Sequence, residues 1–283
     1  LRGLGKIHQG QYPDFLIRPG VFLLLVVTFA IVAGSPTSEK VIALHILSAS
    51  LAISYAVFLL SRLMKERETS AKHDSRRWMK SIGPLALLSG AGLVLSQSDI
   101  MMLAYFGSSS EVGQYRVVVQ VANLAIFSFG AIDAVFAPKM ARLYEESSIR
   151  ELQALMKKIG LLIFFISLPF LLLLLAFPEQ LLWMVFGNSY KIAALSLQIL
   201  LVGQLVKVLM GPLGTFLTMA KKEMLTAKVL YAAALLNIVL NLFLIPEYGI
   251  EGAALSTSLA VVFWNISLFY LSLRETKINI SVF

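Results

Sequence analysis

The chain has 283 residues, 58% of them hydrophobic and 14% charged, with a mean hydropathy of +0.81 and a formal net charge of +8. Soluble domains carry about 25% charged residues, so most of this surface is not built for water, which excludes a soluble enzyme or binding module. Cysteine is absent, which excludes disulfides, thiolate nucleophiles and zinc–thiolate sites, and the alternating ten-residue pattern of membrane strands is absent too, which leaves helices as the spanning elements.

Eight apolar spans follow in chain order, most of them near the ~20 residues that a helix needs to cross a bilayer. The first, Phe15 to Ala33, is the weakest, because its uninterrupted apolar core begins only at Val21. Val41 to Leu60 is the second. Ser61 to Lys80 is charged, without apolar periodicity, and reads as a linker. Ile82 to Phe106 and Gln114 to Ala137 are the third and fourth spans. Ser148-Ile149-Arg150-Glu151 then has the pattern of a capping box, and Ile149, Leu152, Leu155, Met156 and Ile159 recur at helical spacing, which predicts an amphipathic helix on the membrane surface. The fifth span, Ile159 to Phe177, holds Pro169 as a candidate kink. In the sixth, Ile192 to Met219, a bend is predicted at Gly211-Pro212, since proline removes a backbone donor and crowds the preceding turn. Leu225 to Ile245 and Gly252 to Leu273 complete the set. The chain opens on Leu1, and its first segment has neither the short apolar core nor the cleavage site of a signal peptide, so it reads as a fragment of a longer protein.

With the residues before Gly20 placed in the cytoplasm, 20 of the 24 Lys and Arg fall on the cytoplasmic side and only Lys40 and Lys191 on the other. That bias sets orientation: both ends of the chain are predicted to be cytoplasmic. The same distribution argues against a nucleic-acid partner, because the cations are scattered through loops as orientation signals. Outward loops such as Gly107 to Gly113 and Pro246 to Ile250 are too short for an extracytoplasmic domain.

Charges inside hydrocarbon are costly, so each one is a candidate for function. Lys207 lies mid-way along the sixth span, and at ~100° per residue Gly203, Gln204, Gly211 and Gly214 share its face. It reads either as a contact for an anionic substrate group such as phosphate or as a structural ion pair or snorkelling side chain. Arg116, Gln120 and Asn123 share a face of the fourth span at i, i+4 and i+7, with interfacial anchoring as the alternative for Arg116. The substrate-binding candidates are therefore Lys207, Arg116, Gln204, Gln120 and Asn123. On the third span Ser89, Gly92, Ser96 and Asp99 form another stripe. Asp99 is the ion-coupling candidate, for a proton or sodium, unless it pairs with Arg116. Asp133 reads as an interfacial or cap-pairing residue, and Asn237, Asn241 and the small residues from Ala253 to Ala260 as helix-packing contacts. His8, His45 and His73 are dispersed, so no metal site is expected, and no nucleophile with its base is visible. No catalytic residue and no cofactor beyond a coupling ion is expected.

Five stretches together carry a resemblance: SQSDIMMLAYFGSSSEVGQY from Ser96, APKMARLYEE from Ala137, LLWMVFGNSYKIAALSLQILLVGQL from Leu181, GPLGTFLTMAKKE from Gly211 and NLFLIPEYGIEGAALSTS from Asn241. In order and spacing they resemble the C-terminal half of polysaccharide and O-antigen flippases of the multidrug/oligosaccharidyl-lipid/polysaccharide exporter superfamily. The resemblance implies an all-α integral membrane protein of about eight transmembrane helices: residues 81–283 as one complete six-helix lobe, residues 61–80 as a basic cytoplasmic linker and residues 1–60 as the last two helices of another lobe. It further implies alternating access and transport of an undecaprenyl-diphosphate-linked oligosaccharide across a bacterial inner membrane for surface polysaccharide, with membrane lipid and polysaccharide-assembly proteins as partners. The rivals are a drug/cation antiporter of the same superfamily, which would want acidic residues in its cavity, and a membrane-embedded polymerase, ligase or acyltransferase.

Overall fold

The long apolar runs fold as helices, since a helix satisfies its own backbone donors and acceptors without water. The structure is a computed structural model that describes residues 13–34, 37–65 and 75–276, and among them every regular element is helical. The protein is an all-α membrane protein. The chain divides into two compact units, residues 1–73 and 74–283. In the first, a π-helical turn at Pro13–Ile17 leads into α1 (Arg18–Ala33), which packs against α2 (Ser38–Lys65). Arg18 Nη2 lies 2.8 Å from His45 Nε2, and the Phe22 ring meets the His45 ring edge-on at 4.9 Å between centroids.

The second unit contains α3 (Ser75–Phe106), α4 (Ser109–Ala125), α5 (Phe127–Glu145), α6 (Ile149–Ala176), α7 (Pro178–Phe186), a 3-10 turn (Asn188–Ala193), α8 (Ala194–Met210), α9 (Leu213–Met219) and α10 (Glu223–Thr276). Helices α2 and α3 extend into the stretch that the charges marked as linker, and its residues 66–74 lie outside the described residues.

Three breaks shape this unit. Between α4 and α5 the axis turns by 50° at Ile126. Between α8 and α9 the predicted bend is a full break, because Gly211 takes φ +74°, a left-handed value open to glycine, and Pro212 is the N-cap position of α9. The third break splits α10 at Gly249 (φ 54°, ψ −125°) into arms 223–248 and 250–276. The Asn237 amide donates to Thr257 Oγ1 at 3.2 Å, whereas twenty residues of straight helix would separate the two by roughly 30 Å. The arms therefore fold back antiparallel. Gly252 makes this approach possible, since a Cβ there would sit 2.1 Å from the Leu244 carbonyl oxygen.

Other expectations are corrected. Ser148 makes no side-chain cap, and the box forms at Ser108, where Glu111 N–H donates to Ser108 Oγ and Ser108 N–H donates to Glu111 Oε2. No separate surface helix precedes the fifth span: α6 is continuous from Ile149 through Pro169 to Ala176, and Leu152, Met156 and Ile159 are fully buried in the protein core beside Leu197 and Leu201. Among the described residues five helices can cross a membrane by length and composition, or six if the bent α4–α5 pair is one span. The count of eight is not reached on that measure, because α10 carries two apolar stretches as one segment and α1 has only 16 residues. Outward-facing apolar side chains such as Phe165, Phe170 and Phe243, the last 72% exposed, would be a liability in water and suit a lipid surround.

Candidate functional site

The second unit encloses a cavity of about 340 Å³ walled by α3, α4, α8 and the second arm of α10. All six polar candidates from the sequence line it: Asp99 from α3, Arg116, Gln120 and Asn123 from α4, and Gln204 and Lys207 from α8. Two local features hold them there. On α4 the i, i+4, i+7 spacing keeps Arg116, Gln120 and Asn123 on one face, and the bend at Ile126 ends the stripe just after Asn123. On α8, Gly203 sits so close to α10 that a Cβ would meet Ser258 Cα at 3.1 Å, and Ser258 Oγ donates to the Ile199 carbonyl at 2.7 Å. That contact sets α8 against α10 and leaves Gln204 and Lys207 facing the open space. The Gln204 amide reaches Asn123 Oδ1 at 3.4 Å, while its own Oε1 is buried without a partner.

Asp99 is 2% exposed and its carboxylate is closed by donors. Oδ2 accepts from the Tyr115 hydroxyl at 2.7 Å and from Thr257 Oγ1 at 2.9 Å, and Oδ1 from the Ile100 N–H at 2.9 Å. The Asp99–Arg116 pair anticipated from the sequence does not form. Among the described residues the ion pairs are Arg142–Glu146, Lys221–Glu145 and Lys222–Glu275. The reason is rotational: Tyr115, one residue and ~100° before Arg116, turns fully inward onto Asp99, and Arg116 is left on the cavity wall. Thr257 continues the network, through Asn237, to Ser98 (2.6 Å) and Asn241 (3.0 Å). Asn237 and Asn241 are fully buried, and Asn237 ties both arms of α10 to α3.

Among the described residues no carboxylate lies within 4.0 Å of Lys207. Its Nζ lies 4.9 Å from the Phe129 ring centroid, and its charge reaches Asp133, one helical turn further along α5. Asp133, expected as an interfacial or cap-pairing residue, meets the first turn of α9, where the Thr215 hydroxyl donates to Oδ2 and Oδ1 remains buried without a partner. Sequence reasoning also missed Tyr115, Thr257 and Trp264. Each is common in apolar helices, and Thr257 lies within the small-residue run that signalled packing. Among the described residues no three His, Asp or Glu side chains converge as a metal site.

The wall thus offers two cations, several amides and the Trp264 ring around one carboxylate already closed by donors. It can hold an anion by charge-assisted bonds and hydroxyls by amide bonds. A family model described as MatE matches residues 84–243, more than half of the chain. An uncharacterized membrane protein of Methanocaldococcus jannaschii is 28% identical over 195 residues, which cover 68% of this chain and 38% of that protein. A probable low-salt glycan biosynthesis flippase of Haloferax volcanii is 23% identical over 169 residues, 60% of this chain and 36% of the relative. A capsular polysaccharide biosynthesis protein of Staphylococcus aureus is 27% identical over 188 residues, 66% and 47% respectively. The chain spans less than half the length of each of these relatives.

Proposed function

We propose, for a chain that belongs to the MatE family and so to a family of membrane transporters, that the cavity receives the anionic head group of a lipid-linked oligosaccharide. On this reading the intact protein is a flippase that moves undecaprenyl-diphosphate-linked sugar across the bacterial inner membrane by alternating access. The observation that carries it is the charge on the cavity wall: Lys207 and Arg116 line it without an ion-pair partner among the described residues, and the one acid on the wall is turned onto Tyr115 and Thr257. A diphosphate crossing a bilayer must exchange its water for other partners, and fixed cations in a low-dielectric space are strong ones. Gln120, Asn123 and Gln204 supply donors and acceptors for sugar hydroxyls between the two cations, with Arg116 about 10 Å along α4 from Asn123. The names of the Haloferax and Staphylococcus relatives support a glycan substrate. A drug/cation antiporter would need an acid open to the cavity, which Asp99 is not.

Asp99 keeps the part of coupling-ion site in this proposal, taking a proton or sodium in place of the Tyr115 and Thr257 hydrogens. On this reading both chain ends face the cytoplasm, an orientation that the bias of Lys and Arg supports, and polysaccharide-assembly proteins would meet it there. The test is flipping of a lipid-diphosphate sugar by the intact protein in sealed vesicles. Accumulation of substrate in the far leaflet, abolished jointly in Lys207→Ala/Arg116→Ala protein that is still inserted, is the expected outcome. Full transport by the double variant would end this reading.

A further inference from the structure

Lys207 stands between the cavity and a second acid, Asp133. On one side it lines the cavity; on the other its charge reaches Asp133, which is not part of the cavity wall. The two do not close to a direct ion pair: Lys207 Nζ rests against the Phe129 ring, and Asp133 bonds Thr215 through Oδ2 alone. Asp133 Oδ1 is buried and empty-handed. A buried carboxylate oxygen without a donor is costly, and among the described residues the cation whose charge reaches it is Lys207. The neighbourhood is also built to yield, because Lys207 lies in the last turn of α8, next to the break at Gly211-Pro212, and Thr215 lies in the first turn of α9 beyond it.

We propose that Lys207 exchanges partners during transport, and that Asp133 is the positioning residue which takes the ammonium back when the anionic head group leaves the cavity. This rests on the reading of the cavity as a diphosphate site. A cation with only a polarised ring opposite would hold a diphosphate too long for turnover, and Asp133 supplies the competing charge that lets it go. While Asp133 holds Lys207, the cavity is not competent to bind. The apparent affinity of the intact protein is therefore reduced by the fraction of time that Lys207 is free.

The variants move in opposite directions, which a structural role would not produce. Asp133→Asn keeps an acceptor for Thr215 and removes the competing charge, so binding tightens, about tenfold if Lys207 is free one-tenth of the time, while flipping per inserted molecule slows. Thr215→Val strips the remaining donor from Asp133, which then draws Lys207 more strongly, so binding weakens. Asp133→Glu keeps the charge and restores near-normal values of both. The measurement is equilibrium binding of radiolabelled farnesyl diphosphate to the intact protein in nanodiscs, alongside flipping in vesicles. Weaker or unchanged binding in Asp133→Asn, or tighter binding in Thr215→Val, would overturn partner exchange and leave the diphosphate reading standing. Failure of the wild-type protein to bind farnesyl diphosphate would overturn both.

Discussion

Asp99 and Asp133 are two acids within one helical unit, and their surroundings are opposite in kind. Asp99 accepts three hydrogen bonds and is joined through Thr257 to Asn237, Ser98 and Asn241, so three elements are locked around it. Asp133 has one bond and one bare oxygen, next to a helix break. In a low dielectric a saturated polar network rigidifies its neighbourhood, while a partly satisfied one leaves an alternative arrangement close in free energy. The Asp99 side is thus the fixed wall of the cavity and the Lys207–Asp133 side the movable one. Removing a group from the first should cost stability, and removing one from the second should cost turnover.

The largest effect should come from destroying the fixed wall. Gly252→Val puts a branched side chain where even a Cβ would meet the Leu244 carbonyl at 2.1 Å. The arms of α10 could then no longer fold back, and Asn237 would part from Thr257. A loss of more than about 4 kcal/mol is expected from overpacking combined with lost buried bonds, read as failure to accumulate monodisperse protein in detergent. Normal accumulation of the Gly252→Val protein would show that the arms can separate without harm. Asn237→Ala is the milder cut at the same wall. It strands Ser98 and Asn241, at about 1–3 kcal/mol for each buried group left unpaired, and lowers the melting temperature without any requirement for substrate.

How much of this was legible in the sequence follows the same division. The stripe of Arg116, Gln120 and Asn123 and the face of Gln204 and Lys207 were visible because a polar residue in an apolar helix stands out and helical spacing says which residues share a face. The structure brings all of them, with Asp99, to one cavity. The breaks were harder to see. The turn at Ile126 has neither Pro nor Gly to announce it, and it is what carries Asp133 round to α9. The capping pattern misled because Ser108 and Ser148 are followed by the same Glu at the third position. Ser148 closes a left-handed turn, with Ser147 at φ 55° and its own N–H bonded to the Leu143 carbonyl. It is held at ψ 63°, away from the extended backbone that a cap needs and that Ser108 has at ψ 158°.

On the movable wall the expected signature is different. Lys207→Ala should lower transport per inserted molecule at least tenfold, about 1.4 kcal/mol on the barrier, with a smaller loss of melting temperature than Asn237→Ala gives, because Asp133 keeps its bond to Thr215. Lys207→Arg should keep part of the activity by keeping the charge. The comparison fails if Lys207→Ala behaves like Asn237→Ala, losing several kcal/mol of stability (roughly 3–5) and retaining normal transport per molecule. That result would make Lys207 a buried structural ion and Asp133 its permanent partner.

The smallest effect should lie outside both walls, at Lys221–Glu145. The pair closes at 2.9 Å between α5 and the turn after α9 with both side chains well exposed, and Lys221 takes φ 60°, a left-handed value. The hydrogen bond to Lys221 lowers the Glu145 carboxyl from its ordinary 4.5, and the same bond raises the Lys221 ammonium from its ordinary 10.5. The carboxylate contribution is present above pH 4.5 and is lost as pH falls through the depressed value. The ammonium contribution is fully present below pH 10.5 and is lost as pH rises through the elevated one. Between about pH 5 and 9 the pair should therefore add no slope to the stability of the protein. Water and salt screen an exposed pair of this kind, so Glu145→Gln should leave the melting temperature within error at about 0.5 M NaCl. Lys221→Gly should raise it slightly, since glycine adopts the left-handed backbone without strain. A marked loss of stability in either variant would mean that the ion pair, and not the backbone turn, holds α9 to α5, and would place this turn with the fixed wall.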